Sequence, residues 1–431
     1  MPIYNISATR LTLSYTGTAA KYTPVMGSYD PTSAVEADAQ IKVFASYTVA
    51  NMFVRVATNS RNGTDLLTLR NNGASTAVTV TATGPVTGIL EDVVNTAALV
   101  SGDLIDTLID NGTSTSGSLD IPIISYTMQS TSNITLLAAT NVTGTNVSAA
   151  FTRYMAISGE LGLTGTESRA HYTARTATTL ANLRTYVRTN ATTTASTLDV
   201  RVNSASSALT ISISAAATGE QQDIINTVSI AVGDEINYRI VAGATGAINL
   251  SGVQSETRAA ARPLISPDVG GSTIGGAGGT VYTFLDGNLD QADSSNELNT
   301  QMKWRSSDSF TNLFVNVMTN TRTTACTVTV RKNTADTAVT LSITALTAGL
   351  YEDLTNTVAF ASGDLGDYEL TAAAGSGTCT ISVVAVQQST AILGLGVTVD
   401  WSGNNDFTDI LDALNGLVLS AKWRRGRDTE S

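Results

Sequence analysis

NSRNGTDLLTLRNNGASTAVTVTATGPVTGILEDVVNTAALVSGD, residues 59–103, decides the fold because the chain writes it twice more. Residues 190–234 read NATTTASTLDVRVNSASSALTISISAAATGEQQDIINTVSIAVGD, and residues 320–364 read NTRTTACTVTVRKNTADTAVTLSITALTAGLYEDLTNTVAFASGD. The anchors keep step without a gap: Asn59, Asn190 and Asn320; Arg70, Arg201 and Arg331; Asp92, Asp223 and Asp353; Asn95, Asn226 and Asn356; Asp103, Asp234 and Asp364. Each series is offset by 131 and then 130 residues. That period is far longer than the roughly 20–50 residues of a solenoid or propeller unit, and it has the size of a domain. Inside each copy apolar residues alternate: Leu67 and Leu69 before Val78 and Val80, Leu198, Val200 and Val202 before Leu209, Ile211 and Ile213, and Val328 and Val330 before Val339, Leu341 and Ile343. A period of two marks strands with one buried face. The short turns RNNGAS, VNSASS and KNTADT between them predict hairpins.

Working outward, a looser pair of strands precedes each copy. The runs PVMG, AISG and FLDG end at Gly27, Gly159 and Gly287, and a further apolar strand leads into each anchor block. About eight short strands per repeat predict a sandwich or a barrel. The expected organisation is all-β: domain one over residues 1–128, domain two over 129–255, a Pro- and Gly-rich linker over 256–279, domain three over 280–389, and a C-terminal segment over 390–431. The stretch RPLISPDVGGSTIGGAGG is the core of that expected linker.

Composition narrows the function. Charged residues make up 14% of the chain, below the roughly 25% of an average domain, and Thr, Ser and Asn take their place. The net charge of −12 opposes a nonspecific grip on nucleic acid or on an anionic membrane. The opening MPIYNISATRLTLSYTG lacks the basic start and apolar run of a signal peptide, so synthesis in the cytosol is expected. Two cysteines, Cys326 and Cys379, both in the third repeat, form neither a disulfide framework nor a zinc site, and read as buried thiols or as one added bridge.

No repeated residue carries a catalytic constellation. Asp92, Asn95 and Asp103 with their equivalents offer oxygen ligands, but turn capping explains them better than a Ca²⁺ loop. Arg70, Arg201 and Arg331 are candidates for an interface, or for pairing with a carboxylate across the sheet. His171 is the single histidine, so no His-dependent site can repeat. GGSTIGGAGG leads into no helix and is a weak phosphate cradle. Neither enzyme activity nor a cofactor or metal is expected.

Beyond residue 388 the composition shifts to GLGVTVDWSGNNDFTDILDALNGLVLSAKWRRGRDTES. Residues 397–428, with Asp400-Trp401 and the run from Trp423 to Asp428, resemble the opening of a module of bacteriophage tail-associated proteins. The resemblance implies a docking segment in which Trp401, Trp423, Arg424, Arg425 and Arg427 make contacts. The Thr-rich strands and the NG and GD turns are similar in style to the tandem jelly-roll units of phage decoration, fibre and tail proteins, akin to tumour-necrosis-factor-like trimeric sandwiches. That likeness implies a virion protein with three jelly-roll-like antiparallel sandwiches, assembled with other virion proteins as a homotrimer or as a pseudo-trimer within one chain. A tail or baseplate position is expected, with a head decoration protein or a fibre binding a host receptor or surface glycan as alternatives.

Overall fold

A computed structural model of the chain describes residues 3–9, 14–16, 19–28, 32–130, 134–258, 261–274, 278–289 and 295–390. The alternating segments are strands. The first repeat supplies β1 (Ile3–Thr9), β2 (Lys21–Thr23), β3 (Tyr47–Val56), β4 (Thr64–Asn71), β5 (Ala74–Thr83), β6 (Gly88–Leu99), β7 (Leu104–Asp110) and β8 (Ile123–Ser130). The second supplies β9 (Thr135–Ser148), β10 (Thr152–Met155), β11 (Thr178–Asn190), β12 (Ser196–Val202), β13 (Ala205–Ile213), β14 (Gly219–Ile230), β15 (Glu235–Val241) and β16 (Ala247–Thr257). The third supplies β17 (Ala261–Ile274), β18 (Gly279–Thr283), β19 (Asp308–Asn320), β20 (Cys326–Lys332), β21 (Ala335–Ile343), β22 (Gly349–Phe360), β23 (Leu365–Ala372) and β24 (Cys379–Thr390).

Strand order identifies the architecture. In the first repeat one sheet runs β6-β3-β8-β1 and the other β2-β7-β4-β5, and both orders recur in the second and third repeats. Counted one to eight within a repeat, the sheets are 1-8-3-6 and 2-7-4-5. Two interlocked Greek keys in two facing sheets make a jelly roll. Each sandwich fills its interior with the alternating apolar residues. Leu67, Leu69, Val78 and Val80 meet Val54 and Ile124 in the first, and Val328, Val330, Val339 and Leu341 meet Val315 and Val384 in the third. The third core adds an edge-on aromatic trio in which Trp304 and Phe360 lie 4.7 Å and 4.6 Å from Phe310.

The repeated polar residues pin the turns. The hairpin between strands four and five places Asn72 and Gly73, Asn203 and Ser204, and Asn333 and Thr334 at positive φ, as a type I′ turn requires. Each turn asparagine donates through Nδ2 to the aspartate of the Gly-Asp turn, Asn72 to Asp103, Asn203 to Asp234 and Asn333 to Asp364, at 2.7 Å each. Asn59 donates to the carbonyls of Thr83 and Val86, and Asn190 and Asn320 close the same loop in their copies.

Residues 261–274 of the stretch expected as a linker are instead a strand, while 259–260 and 275–277 lie outside the described residues. β17 pairs antiparallel with β24 from Ala261↔Ser389 to Ile274↔Cys379, with a register shift between Pro267 and Ser272. Two conditions allow it. β17 lies at a sheet edge, where Pro263 and Pro267 need supply no outward N–H, and Gly270 and Gly271 sit in the bulge. The strand is anchored by Arg262, fully buried, whose guanidinium meets Asp286 at 2.6 Å.

Candidate functional site

The sequence-nominated arginines work within their own sandwiches. Arg70 donates through Nε to Glu36 at 2.9 Å and through Nη2 to the same carboxylate, and also contacts Ser75 and the Gly73 carbonyl. Arg201 grips Glu167 and Arg331 grips Glu297 in the same two-pronged way. Each pair clamps a one-turn 3₁₀ segment against the hairpin between strands four and five. These guanidiniums therefore have a positioning task besides any interface role. Trp401, Trp423, Arg424, Arg425 and Arg427 lie outside the described residues.

Asp92 caps a bulge in strand six. Its carboxylate accepts from the backbone N–H groups of Thr79, Val94 and Asn95 and from the Asn95 side chain. Burial works to raise its pKa, but these donors outweigh burial and hold it below the ordinary carboxylate value. Asp223 and Asp353 repeat the cap. The bulge pushes two side chains outward in each copy. Val93 and Val94 are 55% and 83% exposed, Ile224 and Ile225 are 55% and 88% exposed, and Leu354 is 55% exposed.

The residues sequence reasoning missed lie on the outer face of the 1-8-3-6 sheet. On β3, Met52 and Val54 point into their own core, whereas Phe53 joins Ile123 and Phe284 of the third sandwich in a separate cluster. The equivalent positions are Arg184 on β11 and Phe314 on β19, both buried. Arg184 and Phe314 are covered by the segment following the 3₁₀ turn of another sandwich, whereas Phe53 meets Phe284, which precedes that turn in the third. The first sandwich covers Arg184, the second covers Phe314, and the third reaches the sheet of Phe53.

The three faces differ in chemistry. On the first, Arg184 Nη1 donates to the Gln40 carbonyl at 3.0 Å and to Gln254 Oε1 at 2.9 Å, and its Nε meets Glu220 at 3.1 Å. Gln254 also accepts from the Lys42 N–H and donates to the Lys42 carbonyl, and Lys42 Nζ lies 2.6 Å from Glu220. Burial pulls the Arg184 guanidinium below its ordinary value, opposed by Glu220. Arg188 and Asp38 pair at 3.0 Å on the same face. On the second face, Tyr172 stands edge-on to Phe314 at 6.0 Å, Arg175 pairs with Glu352, and Asn316 donates to the Ser168 carbonyl at 2.7 Å. On the third, Lys303 and Arg305 both reach Glu91.

A second set of contacts runs through the glycines that end PVMG, AISG and FLDG. A Cβ on Gly27 would sit 2.8 Å from the Gly159 carbonyl oxygen, and one on Gly159 would sit 2.4 Å from that of Gly287. Both have positive φ, so only glycine fits the backbone and the space. Ser7 donates to the Asp286 carbonyl and Thr140 to that of Met26, joining the first sandwich to the third and the second to the first. The contacts run head to tail and close: one on two, two on three, three on one. A regular 131- and 130-residue offset could have signalled equivalent outer-face positions, but alternation alone assigns Phe53 and Phe314 only to the face opposite the core.

Of the residues private to one copy, Cys326 and Cys379 are buried free thiols. His171 is buried just after the 3₁₀ turn Glu167–Ala170, with Nδ1 2.9 Å from Glu235.

No protein-family model matches the chain, and no curated protein matches it. Solved structures are similar at low level, among them the following three. A chain from work on the triple jelly roll fold and turret assembly in an archaeal virus is 11% identical, with 90% of each chain covered and a TM-score of 0.19. A chain of Sulfolobus turreted icosahedral virus is 12% identical over 81% of this chain and 82% of that one, with a TM-score of 0.18. One of infectious bursal disease virus, Gx strain, is 10% identical over 90% and 81%, with a TM-score of 0.17. Overlays at these scores bear no weight, and the jelly-roll assignment rests on strand order.

Proposed function

We propose that the chain is a structural component of a virus particle, acting as a pseudo-trimer that carries its three jelly rolls in one polypeptide. The observation that carries this reading is the head-to-tail closure of the contacts among the sandwiches. A heterologous contact that closes after three steps makes a ring and leaves no open end for a fibre. The shared residues support it: they cap turns, clamp hairpins and pack cores. The outward pairs Val93 and Val94, Ile224 and Ile225, with Leu354, give the ring three related apolar contact points for neighbouring virion proteins.

Within that reading the finer position is the tail or baseplate, with residues 390–431 as the attachment, in keeping with the sequence resemblance of that segment. Head decoration and host binding by a fibre are the competing positions. Mass spectrometry of purified particles tests the structural role: the chain should be present in fixed copy number, and its absence from particles would overturn the proposal. Deleting residues 390–431 tests the attachment. Particles lacking the truncated chain are expected, while unchanged incorporation would move attachment to the sandwiches.

A further inference from the structure

The three inter-sandwich faces are related, but the space they leave differs: a void of about 10 Å³ lies beside Asp38 and Arg184 on the first, against a wide groove where the second sandwich meets the third. Where the first sandwich meets the second, Asp38 and Arg188 close the space with an ion pair. At the matching positions where the second meets the third stand Arg169 and Met318. The carboxylate has become a guanidinium and its partner a thioether. Among the described residues Arg169 has no carboxylate within ion-pair distance, and a groove of about 560 Å³ opens beside it.

The lining of that groove is mixed in a specific way. Met318, Val317 and Leu350 form an apolar wall, and Leu350 is 47% exposed. Thr166 and Ser168 bring hydroxyls. His171, only 5% exposed, also lines it. Glu235 holds the ring through Nδ1, and Nε2 is buried without a hydrogen-bond partner, 4.0 Å from Glu167, whose carboxylate is gripped by Arg201. The positions equivalent to His171 are Gln40 and Gln301, so the imidazole belongs to this groove alone. A concave site of several hundred Å³ with an apolar wall and a few convergent polar groups has the form of a small-molecule site.

We infer that this groove binds a small hydroxylated carboxylate of the sugar-acid class. The carboxylate pairs with Arg169, a fork that suits planar anions. A ligand hydroxyl donates to His171 Nε2, giving that buried atom the partner it lacks. The ligand's C–H face rests on Met318 and Leu350. The site lies within one chain and does not depend on a role in a particle.

Isothermal titration of the full chain with galacturonate tests the inference, with galactose as the neutral control. Saturable binding with a dissociation constant on the order of a millimolar is expected, with galactose about tenfold weaker or undetectable. The double variant Arg169→Asp, Met318→Arg transplants the closed arrangement of the first face and should keep the melting temperature while losing galacturonate. His171→Gln should weaken binding about tenfold. Failure of galacturonate to bind the unaltered chain, equal binding of galactose, or binding that survives in the double variant would each overturn the assignment.

Discussion

Phe314 distinguishes a closed ring from three sandwiches tethered in series. On β19 it points away from its own core, whose residues Leu313 and Val315 flank it, yet it is 0% exposed. Its cover comes from the second sandwich, where Tyr172 meets it edge-on at 6.0 Å and the core cluster of that sandwich takes it in. Phe314→Ala should therefore behave as a core truncation and cost about 3–5 kcal/mol. If the sandwiches were independent, the residue would be a surface side chain and the change would stay within about 0.5 kcal/mol. Chemical denaturation of the full chain, monitored by circular dichroism, reads the difference. A double-mutant cycle with Tyr172→Ala should return a coupling of about 0.5–1.5 kcal/mol, the worth of an edge-on aromatic pair. A loss under about 0.5 kcal/mol with no coupling would refute the ring contact.

Three further outcomes follow from the same geometry. Asp106 is fully buried, and burial, then Glu36, raise it from 3.8 to about 8. The folded chain thus binds the extra proton across that window, and stability falls as pH rises through it; Asp106→Asn, the residue already present as Asn237, should stabilise increasingly toward about pH 8, and a gain independent of pH would contradict this. Asp92→Ala strips an acceptor from three backbone N–H groups and should cost about 1–3 kcal/mol. Because the folded Asp92 lies below its ordinary value, its contribution is present above that value and lost as pH falls through the folded one, so the variant's deficit should shrink in acid denaturation measured at low pH. Arg184→Met leaves Glu220 to Lys42 alone and the Gln40 carbonyl short of a donor, for a loss of about 3 kcal/mol in the same unfolding assay; an unchanged midpoint would show that the polar face contributes nothing.

Much of the sandwich was legible because its signal is local. Alternation at Leu67, Leu69, Val78 and Val80 and the Asn-bearing turns fix hairpins, and the exact repeat spacing carried the reading to three copies. The edge strand β17 was not legible, since Pro263, Pro267 and the glycines argue against a strand until its place at a sheet edge is known. The contact faces were hidden for a related reason. Phe53, Arg184 and Phe314 occupy one position with different chemistry, so their equivalence appears only when the sandwiches are seen to touch. Arg70 illustrates the converse: its repetition was plain, while its partner Glu36, 34 residues upstream, emerges only from the fold.

The most direct measurement is a cryo-EM reconstruction of a particle or assembly containing the chain, at a resolution that traces side chains. A closed pseudo-trimer predicts three jelly rolls around each local threefold-like axis contributed by one polypeptide, with Phe53, Arg184 and Phe314 on the three successive faces. Three polypeptides around that axis, each presenting the same sandwich and the same face residue, would contradict it.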